Sequence, residues 1–187
     1  NVQFIQNTTI TTYKDGVLQE SATGNGLFLG MGSDLIASSG RSTLGFVTTK
    51  AFDEARISIN SIVAANWGTT RVYGLMVMKP CPKQIDCNNS YYWNQPDFPV
   101  VLNAERTGLS SILCLGCSVN NPGNLIDNNN DTYSRITVAA GIGNSGSISV
   151  VDPSATYPKG TFVGFTVKDR YFIAQGDLLE FISVKTY

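Results

Sequence analysis

Apolar and polar positions alternate along most of this chain, with a period of two. Between 54 and 63, Ala55, Ile57 and Ile59 alternate with Arg56, Ser58 and Asn60. That is the pattern of a strand with one buried face. Segments 8–13, 42–49, 69–78, 134–139, 147–151, 161–167, 171–174 and 178–186 read as further strands, rich in β-branched and aromatic residues. Segment 2–6 reads the same way, and the glycine-rich 24–32 reads as a loop. Lys14-Asp15-Gly16-Val17 places an Asp-Gly dipeptide between two such runs, which predicts a hairpin. No stretch sustains an apolar 3.6 period over three turns. The expected fold is all-β, an antiparallel β-sandwich of short strands.

The pattern breaks once, at 79–106. Pro80, Pro82, Pro96 and Pro99 fall there, four of the seven prolines, with Tyr91, Tyr92 and Trp93 among them. This segment reads as a connector loop between two sandwich halves, 1–78 and 107–187. The ends echo each other: Thr8-Thr9-Ile10-Thr11-Thr12-Tyr13 is similar to the run from Phe181 to Tyr187. An array of such units would show that echo. With Asn rather than Met at position 1, the expectation is a chain that is mature, processed or cut from something longer.

Composition narrows the chemistry. Of 187 residues, 14% are charged, and 13 basic against 14 acidic residues leave a net charge of −1. Neither the basic field of a nucleic-acid binder nor a polybasic membrane patch is expected. No apolar run is long enough for membrane insertion by a helix. There is no histidine. That removes Ser-His-Asp and Cys-His nucleophiles and His-ligated zinc. A non-enzymatic role is the expectation.

Few groups remain as candidate chemistry. Cys81 and Cys87 form one local pair and Cys114 and Cys117 another. They read as disulfides of an oxidising compartment, or alternatively as a four-thiolate zinc site. Cys114-Leu115-Gly116-Cys117 as a redox dithiol would need a helix start that the local sequence does not offer. Asp127, Asn129 and Asp131 resemble the opening of a calcium loop. Thr132 stands where an EF-hand has glycine and Val138 where it has Glu, so the loop is either another structural Ca2+ site or a polar Asx turn. Trp67, Tyr91, Tyr92 and Trp93, with Asn66 and Asn94, would make a sugar-binding platform if exposed. If buried, they pin the loop to the sandwich. Gly141 to Gly146 fits GxGxxG, but a strand-like run follows where a dinucleotide site needs a helix, so a hairpin turn is expected. Asp53 and Glu54 read as a solvated strand start, and Arg71 and Lys168 as surface charge.

Two sets of residues carry a family resemblance. Pro122 to Asp127 followed by Asp131-Thr132-Tyr133 resembles the opening motif of discoidin-like (coagulation factor 5/8 type C) jelly rolls, with Asn128 in place of the usual Gly and no Trp after Tyr133. Phe52 to Ile59, then Arg71-Val72-Tyr73-Gly74, resembles the closing strands of that fold. Residues 114–136, 157–165, and 9–21 with 45–74 are similar to repeat modules of giant secreted surface proteins of Bacteroidetes-type bacteria, including gliding and adhesion proteins. The resemblance implies a jelly-roll-like module. Its closing-type strands lie in 1–78 and its opening-type strands in 107–187, as in a circularly permuted sandwich or a cut within a tandem repeat. It further implies an extracellular, cell-surface adhesin or filament unit. Its partners would be copies of itself, adjacent repeats or surface glycans.

Overall fold

The computed structural model describes residues 2–29, 40–61, 68–78, 91–92, 99–110, 114–139 and 143–169. They form an antiparallel all-β sandwich of two packed sheets. The strands are β1 (Thr8–Lys14), β2 (Val17–Thr23), β3 (Phe28–Leu29), β4 (Ser42–Val47), β5 (Glu54–Asn60), β6 (Gly68–Met78), β7 (Tyr91–Tyr92), β8 (Val101–Leu102), β9 (Gly108–Leu109), β10 (Ser118–Asn120), β11 (Ser134–Val138), β12 (Ser145–Val151) and β13 (Phe162–Asp169). The first sheet runs β2-β1-β5-β12-β8, with β9 also on β12. The second runs β10-β11-β6-β13-β4-β3, with β7 on β6.

The winding is jelly-roll-like. The run β4, β5, β6 lies antiparallel to β13, β12, β11 and matches it level by level. The first and third levels sit in the second sheet, where β6 and β13 join them, and the middle level sits in the first. A two-stranded ribbon folded over itself gives this order. The hairpin β1–β2 adds to the free side of β5. Asp15 and Gly16 both take positive φ, 50° and 76°, as a tight hairpin turn requires. Each sheet draws strands from both sides of 79–106. The described parts of that segment are not only linker: β7 pairs with β6, and β8 pairs with β12.

Between the sheets, the inward positions meet in one core. Ile10, Ala55, Ile57, Ile148 and Val150 come from the first sheet; Leu44, Val72, Leu75, Ile136, Val163 and Phe165 come from the second. Phe52, stacked on Tyr157 at 5.3 Å between centroids, closes one end.

Three expectations change. Residues 2–6 are not a strand but lie in an α-helix, Val2–Asn7, whose Ile5 packs against the core. An apolar pair in a short run suits either element, so pattern alone cannot separate them. The glycine run before β12 is not a hairpin turn, because β11 and β12 belong to different sheets. Its last glycine, Gly146, is already inside β12, and Gly141 and Ile142 lie outside the described residues. Glu54 is the third case. It is not solvated.

Candidate functional site

Glu54 begins β5 on the outer face of the first sheet, yet its side chain is only 2% exposed. The turn Ala104–Arg106 lies over it. Arg106 Nη1 donates to Glu54 Oε2 at 3.1 Å, and Asn103 Nδ2 donates to Oε1 at 3.1 Å. Ser149 Oγ donates to the same Oε1 at 2.5 Å. The guanidinium also donates to Gly16 O at 2.7 Å and lies over the Tyr13 ring, 4.3 Å from its centroid. One buried carboxylate therefore ties together the β1–β2 turn, β5, the 103–107 segment and β12. Its lone pairs face protein donors, so the site is suited to holding chain segments rather than to acid–base work on a substrate.

A second carboxylate ties the loop after β4 to the edge strand β2. Glu20 accepts from Thr49 N at 3.0 and 2.9 Å, Thr49 Oγ1 at 2.6 Å and Lys50 N at 3.0 Å. Burial works against its charge. The Thr49 side-chain bond, the Thr49 and Lys50 backbone bonds and the Lys50 ammonium outweigh that and hold its pKa below the ordinary Glu value. A lowered folded pKa means the tie contributes fully above the ordinary Glu value and is lost as pH falls through the lowered one. Glu20→Gln is expected to flatten the acid limb of the stability–pH curve. Parallel curves for variant and parent in urea titrations would show that the tie does not operate.

The loop 127–132 closes on its own backbone. Asp127 Oδ1 accepts from Asn129 N at 3.0 Å, and Asn129 Oδ1 accepts from Asp131 N at 3.0 Å. Thr132 Oγ1 donates to Asp127 Oδ2 at 2.7 Å and to Asn129 O at 2.8 Å. Asp131 points outward and pairs with Arg41 at 3.3 Å. These are successive Asx turns. The oxygens that a calcium ion would need are directed at N–H, hydroxyl and guanidinium donors, so the donor set does not fit a bound cation. Among the described residues, no group of three or more Cys, Asp or Glu side chains could hold a metal ion.

Cys114 and Cys117 form a disulfide, with Cα atoms 5.4 Å apart. Cys117 Sγ accepts from Ala139 N at 3.3 Å, which anchors the start of β10 to the end of β11. For this pair the disulfide reading holds and the zinc alternative does not. Cys81 and Cys87 lie outside the described residues, as do Trp67, Trp93, Asn66 and Asn94. Tyr91 and Tyr92 enter only as the strand β7 on the edge of β6.

The outer face of the second sheet gathers residues that pattern reading passes over. Arg135 on β11 stands opposite Arg71 on β6, and Arg71 stands opposite Lys168 on β13. Arg41 lies 4.0 Å over the ring of Tyr73, and Arg71 lies 4.9 Å from the ring centroid of Tyr133. The two rings are 5.4 Å apart. Arg135 Nη2 donates to Tyr133 Oη at 3.3 Å. That bond, and then the Arg71 charge, lowers the Tyr133 pKa from its ordinary value. The signal lies in strand register, which one sequence does not display.

No family model matches the chain, and comparison with curated proteins and with solved structures gave no match either.

Proposed function

We propose that this chain is a non-enzymatic, extracellular structural module, a subunit or repeat of a bacterial cell-surface filament or adhesin. The observation that carries the reading is the Glu54 clamp. The buried carboxylate of Glu54 is spent on cross-linking four chain segments. A module that bears load benefits from such ties, because a pull on the β1–β2 hairpin must break them together. The Cys114–Cys117 disulfide fixes the turn that leads into β10 at the edge of the other sheet. The partners are other copies or adjacent repeats, meeting at sheet edges.

Electron microscopy of native material, with intact mass under denaturing conditions, tests this. Filaments or regular arrays are the expected result. A polypeptide near 20.2 kDa would make each unit a separate, non-covalently assembled subunit. A much larger one would make it a covalent repeat. Discrete monomers at all concentrations would overturn the reading.

A further inference from the structure

We infer that the Cys114–Cys117 disulfide is an exchange site for small thiols, with Cys114 as the sulfur that takes the adduct. The inference goes beyond the structural role and does not depend on it. The two sulfurs have unlike surroundings. Cys117 packs against the core, and its Sγ accepts from Ala139 N at 3.3 Å. Cys114 is not among the described residues packed against the core. It opens a short loop whose tip, Leu115, is 91% exposed. A thiolate reaches an outward sulfur in line with the S–S bond. To attack Cys117 from its far side it would have to cross the core packing. Exposed disulfides are the ones that exchange.

The step balances without an added oxidant. A thiol loses its proton to water, and the thiolate attacks Cys114 Sγ. The new S–S bond forms as the Cys114–Cys117 bond breaks, and the electron pair of that bond leaves on Cys117 Sγ. A better-stabilised leaving thiolate departs faster. The Ala139 N–H already points at that sulfur, and its bond strengthens as the negative charge arrives. Ala139 is buried, so water does not weaken the bond. A redox dithiol commonly draws this stabilisation from a helix start. Here the end of β11 supplies it, from 22 positions along the chain. Exchange opens the loop before β10, the outermost strand of the second sheet, and leaves a covalent adduct next to the apolar Leu115.

The test treats the full native chain with excess reduced glutathione at mildly alkaline pH. Iodoacetamide, added after short intervals, caps each thiolate released. Trypsin leaves this pair in the peptide 107–135, apart from Cys81 and Cys87, and fragment masses locate each group. Glutathione on Cys114 with the cap on Cys117 is expected at least about tenfold above the reverse arrangement, as one hydrogen bond to a charged sulfur gives. In concentrated urea, which removes both the Ala139 bond and the core packing, the two arrangements should approach equality. A native chain that forms no adduct would show an inert staple and overturn the inference. So would the reverse arrangement, equal adducts on the native chain, or a preference that survives in urea. None of these results depends on whether filaments form.

Discussion

Arg106→Met is expected to destabilise the protein by about 3–5 kcal/mol, because it strips a buried carboxylate of its counter-charge. In a chain of this size that corresponds to a fall in melting temperature of about 6–20 °C. The substitution keeps the length of the side chain and loses three things at once. Glu54 is left with only the neutral donors Asn103 and Ser149. Gly16 O loses its 2.7 Å donor, and Tyr13 loses the nearer of the two guanidiniums at its ring, keeping Arg56 at 5.3 Å. Arg106→Lys keeps the charge but not the fork, and an intermediate loss of about 1.5 kcal/mol is expected.

The double variant Glu54→Leu with Arg106→Met separates a structural tie from a mere surface contact. Removing both charges of a buried pair costs far less than removing one. At least half of the single variant's loss should return. Hydrogen exchange adds a local readout: β1–β2 amides should exchange faster in Arg106→Met, while those of β6 and β13 keep their protection. A loss under about 1 kcal/mol on replacing Arg106, below the range for breaking a buried pair, would remove the clamp as a support for the load-bearing reading.

Much of the sandwich was legible because a strand with one buried face writes period two into the sequence. Ala55, Ile57 and Ile59 do point into the core, and Asp15-Gly16 does close a hairpin. What covers a strand's other face is not written there. Glu54 is an ordinary acidic residue at a strand start until Arg106, 52 positions later, is laid over it. The cation row is hidden for the same reason: residues 71, 135 and 168 become neighbours only once two registers are set. At 127–132 the sequence left two readings open for another reason. Asx turns and calcium loops use the same side-chain oxygens at the same spacing, and only the direction of those oxygens separates them.

Gly45→Ala is expected to cost about 3 kcal/mol, at the upper end for one added carbon in a filled space. Gly45 on β4 stands directly opposite Gly164 on β13, and Phe162 folds its ring across the pair. A Cβ at Gly45 would meet the Val163 carbonyl oxygen, and would lie 2.6 Å from both Gly164 Cα and Phe162 Cζ. Two of those three are backbone atoms, so turning a side chain cannot make room. The strands must part, and with them a pairing that holds β4 to the second sheet. Removing the ring by adding Phe162→Ala should therefore rescue less than half of the loss. Gly68→Ala is the control, since nothing lies within 4 Å of its Cβ position, and its stability should move by no more than about 0.5 kcal/mol. Urea unfolding of the three variants decides the point. If Gly45→Ala unfolds with the control, the chain tolerates a side chain between these strands, and the close approach of β4 and β13 is not what the paired glycines serve.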